Sequence, residues 1–221
     1  MSRRRGKAAS RLHVRIVAHF EQLREQDVRL NQFVLQSRYQ LLRNYDPLVA
    51  TQQNIVTLLD TLEKDQPSLF SRGEQPLASE FKRYRQLFEA KFVLVEDFKS
   101  HNAVLRNSST YFPLAVQQLR RQPGSAQRDQ LLNGLLESVL MYDRQASPSQ
   151  RKNAEALMAK LLKLASPPAT ELVMLAKHVA IILDYQVEVD QLIKDITLSQ
   201  STAEGNTLFA LYGQHYAQMQ Q

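Results

Sequence analysis

A line of mostly apolar residues, repeated at steps of three or four, constrains the fold of this chain more than any other feature. Its members are Leu12, Ile16, Phe20, Leu23, Asp27, Leu30, Val34, Arg38, Leu41 and Tyr45. Steps of three and four place all these side chains on one stripe of an α-helix. Asp46-Pro47 ends this pattern, since the residue before a proline is disfavoured in helical dihedrals. The sequence therefore predicts a first helix over residues 12–45, with Asp46 capping the next one.

A second long stripe begins at Pro76 and is predicted to end near Tyr111. It runs through Phe81, Tyr84, Phe88, Phe92, Val95, Lys99, Asn102 and Arg106. The first and third helices should therefore each exceed thirty residues. Shorter helices are predicted over residues 48–64, 113–121, 129–144, 147–166, 170–183, 188–198 and 202–221. No segment alternates with the two-residue period of a strand, so the predicted fold class is all-α.

A short motif occurs twice and suggests an internal duplication. Residues 38–48 read RYQLLRNYDPL, and residues 101–114 read HNAVLRNSSTYFPL. Both copies hold Leu-Arg-Asn, a polar stretch with a tyrosine, and Pro-Leu. Long antiparallel helices bundle at shallow angles. We therefore expect an elongated up-down bundle of two stacked four-helix modules that share the long helices.

The same motif residues resemble the double all-helical ligand-binding (DAHL) domain. The residues that carry the likeness are Val34-Leu35, Arg38, Leu41-Leu42, 43–48 (RNYDPL), 98–100 (FKS), 102–108 (NAVLRNS) and 111–113 (YFP). The likeness extends from about Leu12 to Tyr216. It implies an extracytoplasmic sensing domain of a bacterial membrane receptor, such as a histidine kinase or a cyclic-dinucleotide enzyme. On this resemblance we expect a periplasmic location in an inner-membrane receptor, a small-molecule ligand, and a homodimer in the full-length receptor.

The basic charge of the chain is concentrated at its start. Five of the 28 basic residues lie in residues 1–11, which hold no acid, so the rest has 23 bases against 22 acids. This basic head, residues 1–11, can contact phosphate or acidic lipid. The favoured explanations are a cloning remnant or the cytoplasmic flank of a removed membrane anchor. We expect residues 1–11 to be disordered and residues 12–221 to form the sensor domain. Nucleic-acid binding is disfavoured because the rest of the chain, residues 12–221, is nearly neutral.

Motifs of enzymes, metal sites and membrane spans are missing from the sequence. Cysteine is absent, which excludes disulfides and thiolate chemistry. No window is long and apolar enough for a transmembrane helix, and the stretch 12–20 is too polar for a signal peptide. The chain lacks phosphate-binding glycine loops, His-Glu-x-x-His and Gly-x-Ser-x-Gly, and its five histidines are scattered. We expect no enzymatic activity, no cofactor and no bound metal, and any membrane attachment through segments outside this chain.

Polar residues on the two apolar stripes, or next to them near the proline breaks, are the candidate ligand-binding residues. They are Lys99, Asn102, Arg106, Asn107 and Tyr111 in the second module, and Arg38 and Tyr45 in the first. A buried guanidinium is costly unless it is paired and hydrogen-bonded. Arg38 and Arg106 could pair with acids such as Asp46 or Asp143, or with carbonyls freed at the proline breaks. Alternatively, their forked donors could bind a carboxylate or phosphate, so the ligand could be anionic.

Two functions remain open on the sequence. The first is a ligand-sensing domain, in which small shifts between packed helices transmit binding to a following transmembrane segment. The second is a helical protein–protein interaction or scaffold module without a small-molecule ligand. Flanking transmembrane segments in the gene would favour the first, and their absence the second.

Overall fold

The computed structural model describes residues 2–71, 76–165 and 169–219, with side chains from Ser10 onwards. Eight helices occur in this part of the chain: α1 (Ser2–Arg38), α2 (Asp46–Asp65), α3 (Pro67–Phe70), α4 (Pro76–Arg121), α5 (Ala126–Arg144), α6 (Pro148–Leu164), α7 (Thr170–Thr197) and α8 (Ser201–Met219). No strand is found among the described residues. The all-α prediction is confirmed. So are the expected lengths of the two long helices, with 37 residues in α1 and 46 in α4.

The chain forms two compact units. Unit 1 comprises residues 1–96 and 193–221, and unit 2 comprises residues 97–192. Their boundaries fall within α4 and α7, so each of these helices contributes to both units. In unit 1, α1 packs against α2 and α8, and in unit 2, α5 packs against α6.

The first helix ends seven residues earlier than predicted, at Arg38. Gln40 adopts a φ of 59°, the left-handed conformation that ends many helices. The N–H of Gln40 donates to the carbonyl of Ser37 at 3.2 Å, and that of Leu41 donates to Gln36 at 2.9 Å. This pair of bonds is a Schellman motif, which satisfies the last carbonyls of α1. The apolar pattern of the sequence continues past this helix end to Leu41. Leu41 is nevertheless 72% exposed, so the pattern there does not mark a buried helix face.

The predicted cap of the second helix is wrong, whereas Ser147 caps α6 at the start of its predicted range. Tyr45 is the N-cap of α2 and makes no side-chain cap bond, and Asp46 is the first helical residue. The Asp46 carboxylate instead accepts a bond from the Asn44 amide at 2.7 Å. At α6, the Ser147 side chain accepts from the N–H of Gln150, as the Ser-Pro pair predicts.

Two predicted helix breaks are wrong. Pro113 lies inside α4, which continues to Arg121. A proline inside a helix removes one backbone hydrogen bond. The neighbouring side chains of Phe112 and Val116 are fully buried on one face, and this burial offsets the loss. Helices 170–183 and 188–198 are in fact the single helix α7, which contains no proline or glycine. Burial of Val179 and Val189 on the unit 2 core keeps it continuous.

The backbone of the basic head is also helical, because α1 begins at Ser2 rather than near Leu12. The side chains of Ser10 and Arg11 are exposed. The expectation that folding does not require this head stays a prediction. Within the described residues, no helix combines the length and apolarity that a membrane crossing requires.

Aromatic rings dominate the core of unit 1. Phe20 contacts Phe70 and Tyr212, with ring centroids 6.2 and 5.9 Å apart, and Phe70 contacts Phe81 at 4.8 Å. These rings join α1, α3, α4 and α8, and such pairs contribute about 0.5–1.5 kcal/mol each beyond area burial. Next to this aromatic core, unit 1 leaves a cavity between α1 and α8.

Candidate functional site

The cavity of unit 1 has a volume of about 80 Å³ and lies between α1 and α8, with Tyr84 of α4 in its wall. Its lining residues are Phe20, Glu21, Arg24, Asp27, Tyr84, Thr202, Gly205, Asn206 and Phe209. The four α1 residues follow steps of one, three and three, and the four α8 residues follow steps of three, one and three. Helical neighbours at three and four residues share a face. The cavity is therefore enclosed by one face of each of the two helices.

A buried ion pair lies at the base of this cavity. The Lys91 Nζ donates to Asp27 Oδ1 at 2.6 Å, and the two residues are 1% and 2% exposed. The other carboxylate oxygen, Oδ2, accepts from the Ser201 hydroxyl at 2.7 Å and from Thr202 at 3.1 Å. Burial lowers the pKa of Lys91, an effect that the Asp27 carboxylate opposes. Asp27 thus links α1, α4 and α8 through one polar network.

Tyr84 brings a hydroxyl group without a protein partner to the cavity. The residue is 3% exposed, and its ring packs edge-on against Phe88 at 5.0 Å. Its hydroxyl makes no hydrogen bond to any described residue. Burial, reinforced by the nearby Asp27 charge, raises the pKa of Tyr84 well above its usual range, so the phenol keeps its proton. A hydroxyl in a cavity wall without a protein partner is available to hydrogen-bond water or a ligand in that cavity.

Gly205 makes room for Tyr84. A Cβ atom at Gly205 would lie 3.0 Å from the Tyr84 hydroxyl oxygen and 3.2 Å from two ring carbons. These distances are too short for an ordinary contact, so a larger residue would displace the ring or fill the cavity. A Cβ atom added at Gly213, two turns further along α8, would have no neighbouring atom within 4 Å. The glycine at position 205 therefore serves the cavity rather than the helix.

The rim of the cavity carries three further polar groups. Glu21 and Arg24 are exposed, lie three residues apart on α1, and form no ion pair within the described part of the chain. Asn206 faces them from α8 and is also exposed. The cavity thus offers a carboxylate, a guanidinium and an amide at its entrance, above a phenol and a buried ion pair.

The structure places the predicted ligand residues in two groups. Lys99, Asn102, Arg106, Asn107 and Tyr111 lie on the α4 segment of unit 2, while Arg38 and Tyr45 lie in unit 1 at the end of α1 and the start of α2. Asn102 is buried, at 2% exposure, as its stripe predicts.

The other predicted residues are less buried than Asn102. Lys99, Arg106, Arg38 and Tyr45 are half-buried, and Asn107 is exposed. Tyr111 is 42% exposed, with its ring 4.5 Å from that of His178. None of the seven lines the cavity between α1 and α8. Their role in ligand binding stays a prediction.

The sequence contained a signal for the cavity that its interpretation missed. The buried face of α4 shares Tyr84, Phe88 and Val95 with the predicted stripe. It takes in Lys91 and Phe98, whereas Phe92 and Lys99 are only half-buried. On the correct stripe, Lys91 is a base among apolar residues, as Asp27 is an acid among apolar residues of α1. Two opposite charges, each interrupting the apolar face of a long helix, indicate a buried pair.

Unit 2 has cavities of its own. One of about 230 Å³ is lined mainly by apolar side chains, including Leu119, Leu132 and Leu172. A shallow one lies between α5 and α6, around Gly134 and Leu157. Neither has a buried polar group comparable with Tyr84 or Asp27. No cluster of three His, Asp or Glu side chains in the described residues is arranged to hold a metal ion.

Comparison with known families agrees with this helical architecture. The family model of the DAHL domain matches residues 8–221. The chain belongs to the DAHL domain family. A search among curated proteins found no match. The resemblance carried by the two Leu-Arg-Asn motifs is confirmed over nearly the whole chain. DAHL domains are sensor domains rather than catalytic domains.

Proposed function

We propose that this DAHL domain is the extracytoplasmic, ligand-sensing part of a bacterial transmembrane receptor, and that it binds a small molecule in the cavity of unit 1. A histidine kinase or a cyclic-dinucleotide enzyme in the inner membrane would be such a receptor, with this domain in the periplasm. The observation that carries the proposal is the Tyr84 hydroxyl, which lies in the wall of a cavity and has no hydrogen-bond partner among the described residues.

The position of the cavity supports a signalling mechanism. A molecule bound there contacts α1 on one side and α8 on the other, and reaches the Asp27 network that joins both helices to α4. A ligand shifts an equilibrium only by its differential affinity for the two states. A ligand that bridges α1 and α8 would favour one register of these helices, and a shift of 1–2 Å is a common signalling displacement.

A thermal-shift screen of metabolites against the whole chain tests this proposal. A ligand at 100 times its Kd adds about 2.7 kcal/mol of stability, which raises Tm by roughly 5–10 °C for a protein of this size. Gly205→Leu, which fills the cavity, should abolish the shift. Gly213→Leu changes the same helix in the same way but points into open space, so it should keep the shift.

Further variants decide where the ligand binds. Asn206→Phe narrows the entrance from an exposed position of α8, and it is the variant to use if Gly205→Leu does not fold. Arg106→Met tests the alternative site in unit 2 while keeping the apolar part of the side chain. A shift that survives both cavity variants but is lost in Arg106→Met would move the site to unit 2. A broad screen that yields no stabilising ligand would contradict the sensing proposal.

One observation favours a role in protein association as well. Val14, Val28 and Leu35 on α1 are 64%, 57% and 40% exposed and are spaced by multiples of seven. Such spacing places them on one side of the helix. We propose that this face contributes to a receptor homodimer. Sedimentation of the parent and of Val28→Glu tests it, and an identical monomer for both would count against this interface.

A further inference from the structure

The charges that line the cavity in unit 1 identify the chemical class of its ligand. Asp27 and Glu21 are acidic and Arg24 is basic, and all three lie on the same face of α1. Lys91 neutralises Asp27 from below, at 2.6 Å. Glu21 and Arg24 have no ion-pair partner in the described part of the chain. The cavity therefore presents one unpaired charge of each sign, together with a buried carboxylate.

The hydrogen-bonding capacity that remains at the base favours a donor group on the ligand. A carboxylate accepts about four hydrogen bonds. Asp27 accepts three, from Lys91, Ser201 and Thr202. The protonated Tyr84 phenol can both accept and donate a hydrogen bond, and it has no partner among the residues that the structure describes. An ammonium group, with three donors, fits the free acceptor positions of these two residues.

The volume of the cavity limits the ligand to a few atoms. One water occupies about 10–15 Å³ of such volume, so about 80 Å³ holds roughly five to eight non-hydrogen atoms. Phe20, 6% exposed, and Phe209, whose ring centroid is 5.9 Å from it, form an apolar wall of the same cavity. A ligand of this size thus meets both a polar and an apolar wall.

We propose that the cavity binds a small zwitterionic amino acid, a proposal that rests on the sensing function above. Its ammonium group lies at Asp27 and Tyr84, its carboxylate pairs with Arg24 at the rim, and its short side chain packs on Phe20 and Phe209. A simple anion would leave the free acceptor positions of Asp27 and Tyr84 without a donor. A simple amine would leave Arg24 unpaired. Only a ligand with both charges satisfies both ends of the cavity.

Calorimetric titration of the whole chain tests the proposal with three sets of probes. The first set is L-alanine and L-serine, the second is ethylamine and ethanolamine, and the third is propionate and lactate. The amino acids should bind, whereas the amines and the acids should bind at least about tenfold more weakly, since each lacks one charged partner. Equal binding of either control set would overturn the zwitterion assignment.

Variants then locate the two ends of the ligand. Arg24→Met and Tyr84→Phe should each weaken binding of the responding amino acid about tenfold or more, because each removes one hydrogen-bonding partner of a charged group. Arg29→Met removes another exposed arginine of α1 outside the cavity, and Tyr39→Phe removes an exposed phenol. Both controls should bind like the parent. Binding that is unchanged in Arg24→Met and Tyr84→Phe would overturn the site.

The same measurements separate this inference from the sensing proposal. If no amino acid binds, but another metabolite stabilises the parent and not Gly205→Leu, the ligand class is wrong and the sensing function stands. If neither the amino acids nor any metabolite of a broad screen binds, both proposals are contradicted.

Discussion

At the scale of single residues, the Asp27–Lys91 pair is the most consequential contact in unit 1. Both side chains are almost completely buried, and only the pairing and the two hydroxyls of Ser201 and Thr202 offset the cost of removing the charges from water. Replacing one partner leaves the other charge buried and unpaired. Replacing both restores neutrality.

Lys91→Met should therefore lower the free energy of unfolding by about 3–5 kcal/mol. The double variant Asp27→Asn with Lys91→Met should recover most of this loss, because the amide oxygen still accepts from Ser201 and Thr202. Urea denaturation of both variants checks this. Arg29→Met, which breaks an exposed ion pair, should change stability by less than about 1 kcal/mol. A Lys91→Met protein as stable as the parent would show that the pair contributes little.

At the scale of helices, the ends are decided by local backbone geometry rather than by the apolar pattern. Gln40 terminates α1 in a left-handed conformation, and a residue with a side chain is strained there. Gln40→Gly should relieve this strain and raise the unfolding free energy by about 0.5–1 kcal/mol, after the entropic cost of a glycine. Gln40→Ala, which keeps the strain, should bring no gain. Denaturant midpoints compare the two, and equal midpoints would contradict the strain argument.

At the proline in α4, in contrast, burial of apolar side chains outweighs the local backbone preference. Pro113 predicts a break from the sequence, but the buried residues Phe112, Val116 and Leu119 hold the helix on the unit 2 core across it. Propensity is a local bias of a few kcal/mol. Burial of three large side chains contributes about 1.5–3 kcal/mol each, which is enough to override it.

At the scale of the whole molecule, residues 1–11 supply most of the chain's net charge, and we expect them not to contribute to its core. Of the residues described there, Ser10 and Arg11 are exposed, and the first fully buried α1 side chain is Ile16. Deleting residues 1–10 should leave Tm nearly unchanged. The retained His13 still stacks on Tyr216, with ring centroids 3.6 Å apart. A fall of many degrees in differential scanning calorimetry would show that the head stabilises unit 1.

The sequence by itself determined that this protein is all-helical, with two helices of more than thirty residues. Helical periodicity is a local property, and it survives in every context that buries one face. The DAHL motifs determined the family for a similar reason, since they are short runs of adjacent residues. The tertiary structure decided the exact centre of the buried face of α4, which includes Lys91 and Phe98 rather than Phe92 and Lys99.

The cavity, too, was decided only in three dimensions. Asp27 and Ser201 are 174 positions apart in the chain, and Lys91 is 64 positions from Asp27. The local patterns mark Asp27 and Lys91 as charges on apolar faces, but the distances between the three groups are set by packing. The depth of Tyr84 likewise depends on a glycine in α8, 121 positions later, whose missing side chain leaves room for the ring. Burial and close approach are set by all the helices together, and for that reason they follow from packing and not from periodicity.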